Sequence, residues 1–271
     1  MSLRDEQLRS FHDKGFAIVE HFFDEREVAA MQAELERIKH SEAARNVATD
    51  GDSKTISQTL VNLQIVPLNK VSNLFRAFPF QPKVLDAVEQ CIGVPFVRQL
   101  DQIFSKPPGC GSGTDWHQDN AYFQINDPTK AVAMWTALHD ASRAGGTLEV
   151  LPCSHFTPLH HECDPMSNHH ISCVVDDESA AVPVEVDAGG VIFFNYGIAH
   201  RTGPNRANHT RAGLAFHFLR TDYIRHDKKS EDYIHLRGDD ATEGVREYGV
   251  NLSGAWTKQV NNAIANGPGE T

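Results

Sequence analysis

The chain has 271 residues, 25 basic against 36 acidic, and is 40% hydrophobic and 23% charged. Those proportions exclude a disordered or collagen-like protein, and the length suffices to bury a substantial core. A net charge of −11 argues against nucleic acid or an anionic membrane surface as the main partner, since both need a basic footprint.

The first forty residues predict two helices with a short strand, Phe16-Ala17-Ile18-Val19, between them. Asp24 with Glu27 three positions on makes a capping box, and Val28, Met31, Leu35 and Ile38 recur at helical spacing. Residues 42–58 are small and polar and are expected to form a mobile loop. A helix over 81–91 follows, with Pro82 in its first turn and Gly93 and Pro95 stopping it. Beyond residue 96 short apolar runs alternate with turn residues: 97–105, 131–138, 147–151, 182–186, 190–195 and 211–219. That texture predicts a β-sandwich or barrel. Segment 153–180 lacks periodicity and is expected to be a loop or lid. No repeat or linker divides the chain. One domain over 1–271 is expected, helical to about 95, β-rich over about 96–220, with a C-terminal extension over about 221–271.

Five cysteines without a Cys-x-x-Cys pair suggest neither a disulfide framework nor a zinc ribbon. The chain opens without an apolar signal core, and no run reaches the ~18 apolar residues of a membrane span. The expected compartment is therefore the cytoplasm, with reduced thiols. Fifteen histidines are the unusual count. Imidazole is both a metal ligand and a proton carrier near neutral pH, so their placement matters.

In Trp116-His117-Gln118-Asp119-Asn120, His117 and Asp119 are two apart, which puts both side chains on one face of an extended segment. A distant second histidine would complete a two-histidine, one-carboxylate metal site with open positions, as non-haem Fe(II) oxygenases use. His200, after the apolar run Val191 to Asn195, is the candidate, and Thr202 shares its face. Arg211 opens the next apolar strand. A buried guanidinium needs an anionic partner, and a bound dicarboxylate suits its planar fork with the Thr202 hydroxyl beside it. His217 shares strand parity with Arg211, which allows it to face the same pocket; a hydrogen-bonded core histidine is the preferred reading. His160-His161 and His169-His170 are read as solvated loop residues.

His117-x-Asp119, His200, and Arg211 eleven residues later, with Gly146-Thr147-Leu148-Glu149-Val150-Leu151-Pro152-Cys153-Ser154-His155 between, resemble the phytanoyl-CoA dioxygenase family, which includes bacterial ectoine hydroxylases. The resemblance covers nearly the whole chain. It implies a mainly β fold with flanking helices, a double-stranded β-helix of the jelly-roll or cupin-like kind. It also implies an Fe(II)- and 2-oxoglutarate-dependent dioxygenase that uses O2, makes succinate and CO2, and hydroxylates a small molecule. His117, Asp119 and His200 would be the iron ligands; Arg211, assisted by Thr202, would bind the distal carboxylate of 2-oxoglutarate. Lys106 and Trp135 match co-substrate-pocket positions of two different branches; their alternatives are a solvated loop lysine and a core tryptophan. Asn120, Tyr122 and Gln102 are candidates for substrate contact, and Gln118 or Asn120 for orienting ligands. After His-x-Asp, the run Asn120 to Ile125 departs from ectoine hydroxylases. A zinc hydrolase or isomerase on the same ligands, which leaves Arg211 without a role, and a silent binding protein are the alternatives; a small polar metabolite is the expected substrate.

Overall fold

A computed structural model describes residues 2–228 and 232–267. Its strands are, in chain order, β1 (Phe16–Val19), β2 (Ala44–Asn46), β3 (Leu63–Ile65), β4 (Phe96–Lys106), β5 (Thr114–His117), β6 (Ala131–Ala137), β7 (Leu148–Val150), β8 (His161–Cys163), β9 (Ile171–Cys173), β10 (Val182–Pro183), β11 (Val191–Asn195), β12 (His200–Thr202), β13 (Arg211–Arg220) and β14 (Ile234–Arg237). An antiparallel sheet runs β1-β11-β6-β13-β4-β3-β2, with β14 also paired to β4. A smaller sheet runs β10-β7-β12-β5, and β8-β9 form a separate hairpin. These are the two facing sheets of a jelly roll.

Alternation along the large sheet divides its two faces. On β6, β11 and β13, Val132, Met134, Phe193, Leu214, Phe216 and Phe218 lie in the core beneath the helices. Ala131, Ala133, Trp135, Ala137, Ile192, Phe194 and Ala215 face the smaller sheet. The outward set is bulky; the inward set on β6 and β13 is mostly alanine, with Gly213 between. Small residues on the inward face leave room for a cavity.

The helices cover the outer face. Asp24 accepts from Glu27 N at 2.8 Å and Glu27 accepts from Asp24 N at 3.0 Å, so the predicted capping box starts helix Glu25–Ile38. Helix Pro82–Ile92 begins at its proline and ends at Gly93, also as predicted. The residues after 220 return to the body of the fold. Helix Trp256–Asn266 lies against Glu25–Ile38, where the Trp256 indole donates to Glu27 at 2.7 Å, and the Phe78 and Phe216 rings stack at 4.4 Å beside it.

Two expectations are corrected. Residues 42–58 are not a free loop: Val47, Ala48 and Thr49 are buried, and Thr49 and Ser53 bond the 164–166 backbone. Small polar residues here serve side-chain-to-backbone bonds, which composition alone does not distinguish from mobility. The run 182–186 forms only a two-residue strand before Val186 bridges to Ala141. All five cysteines are free, and among the described residues no helix is long and apolar enough to cross a membrane.

Candidate active site

The ends of the smaller sheet bring the sequence motif together. His200 on β12 pairs directly with His117 on β5, and the ring centroids are 4.2 Å apart. Asp119 does not continue the strand, as the two-residue spacing suggested. Its backbone is helical (φ −57°, ψ −32°) and it precedes the short turn of helix Asn120–Phe123. The strand stops because Asn120 N turns to donate to Tyr196 O at 2.8 Å. The carboxylate still arrives beside both imidazoles, with Oδ1 at 3.9 Å from His117 Nε2 and 3.8 Å from His200 Nε2.

One ligand atom from each of the three residues lies within 4.8 Å of the others, and all three residues are buried. The Nδ1 atoms of His117 and His200 face the carbonyls of Asp115 and Ile198 at 2.8 and 3.1 Å. Bonds to carbonyls place the proton on Nδ1 and leave the Nε2 lone pairs toward Asp119. Burial pushes both imidazoles down to about 4, so they stay neutral. Asp119 Oδ2 is buried without a hydrogen-bond partner. Two neutral nitrogens and one carboxylate with an unsatisfied oxygen fit a first-row divalent metal.

The second feature is a pair of buried cations. Arg211 is fully buried and Lys106 nearly so; they face one another across β13 and β4. Lys106 Nζ donates to Thr202 Oγ1 at 2.6 Å and to Gly203 O at 2.9 Å. Arg211 donates to the carbonyls of Gly145 and Gly146, while its Nη1 is buried with no partner. Among the described residues no carboxylate pairs with either cation. Burial lowers Arg211 to about 10, which leaves it charged, and burial with the Arg211 charge takes Lys106 well below its ordinary range. An uncompensated buried guanidinium is costly, so this end of the cavity is built for an anion.

A cavity of about 330 Å³ joins the two features. Trp135, Thr202 and Arg211 line it, as do Tyr122 and Gln102. Trp135 is neither plain core nor free to shift: a Cβ on Gly213 would meet its ring at 2.3 Å, so the glycine is what lets the indole lie flat there. Lys106 is no solvated loop lysine; it sits behind Thr202 and off the cavity wall. Asn120 is corrected as a substrate contact. Its side chain bonds Ile125 N and O at 2.9 and 3.3 Å and closes the local turn. Gln118 latches the 154–159 loop, donating to Thr157 O at 2.9 Å and Gly197 O at 2.6 Å and accepting from Leu159 N at 2.8 Å.

The histidine readings change most. His217 lines the cavity, as its parity with Arg211 allows, and is buried with Nδ1 unpartnered, 3.8 Å from Asp119 Oδ2, so the preferred core reading is corrected. His169 and His170 line the cavity instead of facing solvent, and His161 Nε2 accepts from Gln118 N at 2.9 Å; only His160 of the four is exposed. Arg45 and Gln64 also line the cavity and carried no motif in the sequence.

The family model described as phytanoyl-CoA dioxygenase matches residues 11–213, three quarters of the chain. The chain belongs to the phytanoyl-CoA dioxygenase family. Its bovine relative, "Phytanoyl-CoA dioxygenase, peroxisomal", is 26% identical over 93% of this chain and 80% of its own. "Phytanoyl-CoA dioxygenase 1" of Oryza sativa subsp. japonica is 28% identical over 84% of this chain and 93% of its own. The crystal structure of the epimerase SnoN with Fe3+, alpha ketoglutarate and nogalamycin RO superposes with a TM-score of 0.66 at 19% identity, covering 80% of this chain and 83% of that one. At that identity the likeness shows the jelly-roll fold. The protein is an Fe(II)- and 2-oxoglutarate-dependent dioxygenase, and the His117-Asp119-His200 triad fits its iron.

The neutral histidines have a consequence for stability. His117, His200 and His169 are all held near 4 in the fold, against 6.5 for an ordinary histidine, first by burial. The unfolded chain takes up protons at higher pH than the folded one, so stability is full above about 6.5 and declines as pH falls toward 4. The urea midpoint of metal-free protein is expected to fall between about pH 7 and 5, before most carboxylates titrate. A flat midpoint across that window contradicts the buried, neutral assignment.

Proposed function

We propose that this dioxygenase hydroxylates an unactivated C–H bond of a small polar metabolite and converts 2-oxoglutarate to succinate and CO2. The observation that carries the reading is one cavity holding a buried two-histidine, one-carboxylate cluster and a buried arginine without a protein carboxylate. When bound, iron with dioxygen and 2-oxoglutarate supplies the oxidant that such a bond requires. His117 and His200 offer Nε2, and Asp119 one anionic oxygen. Arg211 holds the distal carboxylate of the co-substrate, and Thr202 donates its hydroxyl hydrogen to it, because Lys106 already donates to the Thr202 oxygen. Lys106 thus acts as a positioning residue. Trp135 walls that end and excludes water, which strengthens the ion pair.

Gln102 and Tyr122 belong to the substrate side of the cavity. Tyr122 Oη accepts from Ile171 N at 2.9 Å and so couples the β8-β9 side of the mouth to substrate contact. A volume near the lower end for ligand pockets, about 300–1,000 Å³, suits a small substrate once 2-oxoglutarate is in place. Unpaired cysteines suit a reducing compartment such as the cytoplasm.

The test is a succinate-release screen over small metabolites with Fe(II), ascorbate and 2-oxoglutarate, with mass analysis of products. Succinate is expected in step with a product heavier by one oxygen. Metal-dependent turnover without 2-oxoglutarate consumption overturns the reading.

A further inference from the structure

The stretch of cavity wall at Arg45 of β2, Gln64 of β3 and Gln102 of β4 lies outside the metal triad and the Arg211 end, yet its polar groups are ordered in one direction. Arg45 donates through Nε and Nη2 to Gln64 Oε1 at 3.1 and 3.0 Å. Gln64 Nε2 donates to Gln102 Oε1 at 2.8 Å and faces His169 Nε2 at 3.2 Å. A guanidinium has only donors, so Arg45 forces Gln64 to present its oxygen to it and its amino group onward. Both amide oxygens of this relay thereby already accept a hydrogen bond. Gln102 Nε2 and Arg45 Nη1 remain as donors with no partner among the described residues.

The charges agree with that polarity. Arg45 makes no ion pair among the described residues, and Asp119 is the only carboxylate on the described cavity wall. His169 and His170 are neutral beside it, both pushed down first by burial. Arg45 lies three strand spacings from Arg211 in the order β13-β4-β3-β2, about 14 Å across the sheet. A five-carbon dicarboxylate held by Arg211 and the metal triad leaves Arg45 unengaged. In an acidic protein this is a second cationic end of the same cavity, where Arg45 and Gln102 still have donors to offer.

We infer that the substrate carries an oxyanion group, bound by Arg45 and Gln102, and that Arg45, Gln64 and Gln102 determine this specificity. The inference rests on the dioxygenase reading of the site. A carboxylate and a phosphonate share the required chemistry, since both accept the planar fork of arginine.

The experiment measures succinate release with matched sets of small carboxylic acids, their primary amides and the corresponding phosphonates. Acid or phosphonate members are expected to stimulate release about tenfold or more over the amides, and whichever anion does so identifies the head group. In Arg45→Met the KM for the preferred anion is expected to rise about tenfold or more, while the KM for its amide moves less than about twofold; Arg45→Lys keeps the anion preference in part. Arg45 is exposed on an edge strand, and unchanged melting shows that the variants fold. Equal stimulation by acids and amides, no stimulation by any anion, or an equal KM change for both in Arg45→Met overturns the inference alone. Failure of the wild type to bind Fe(II) and 2-oxoglutarate overturns the dioxygenase reading beneath it.

Discussion

Asp119→Ala is expected to lower succinate release by about a thousandfold or more and to abolish the rise in melting temperature that a divalent ion gives the wild type. The carboxylate is the only anionic group among the three candidate ligands, and the two imidazoles are neutral. Removing it deletes the one full negative charge facing the cation. Without metal the effect on stability runs the other way. Asp119 Oδ2 is buried without a hydrogen-bond partner, so its loss relieves an uncompensated polar atom and the metal-free variant melts no lower than the wild type. Thermal scans with and without Mn(II), which is redox-inert here, separate the two effects. A variant that still gains stability from Mn(II) removes Asp119 from the ligand set.

Arg211→Met is expected to weaken 2-oxoglutarate binding by about a hundredfold or more, since breaking a buried ion pair costs about 3–5 kcal/mol. Methionine fills much of the same volume. It deletes a buried charge, which favours folding, and leaves the Gly145 and Gly146 carbonyls without their donor, which opposes it. Net stability therefore changes little while co-substrate affinity collapses. An anaerobic titration of metal-loaded protein, followed by the metal-to-ligand charge-transfer band, measures the affinity. Unaltered binding in the variant removes Arg211 as the anchor. Thr202→Val, which keeps shape and loses the hydroxyl, belongs to the same series and should cost less, because the charge remains.

The amino-acid sequence by itself determined the class of fold and the three candidate metal ligands. Short apolar runs bounded by turn residues specify strands buried on both faces, because successive side chains point to opposite faces. The runs at 97–105, 131–138, 190–195 and 211–219 each became a strand of the large sheet. His117, Asp119, His200 and Arg211 were legible from chemistry and company, even though the geometric premise for Asp119 was wrong. It reaches the cluster by a helical turn, and the sequence spacing is the same for a turn as for a strand.

Tertiary structure decided everything that depends on which strands become neighbours. Arg45 and Gln64 bear no motif. They matter because β2 and β3 join the edge of β4 and so place their side chains beside Gln102. His169 and His170 looked like solvated loop residues because local composition records polarity but not what packs over it; the bonds between 47–53 and 164–168 fold that loop onto the cavity. The side chains of Asn120 and Gln118 were lost to backbone groups for the same reason, since a hydrogen-bond partner distant in sequence leaves no trace in it. Lys106 beside Pro107-Pro108-Gly109 left a solvated loop lysine open as the alternative, and its strand pairing with Arg211, deep in the fold, is what excludes it. Local sequence sets the period of each element, while register and sheet order, fixed by the whole core, choose which polar groups face one another.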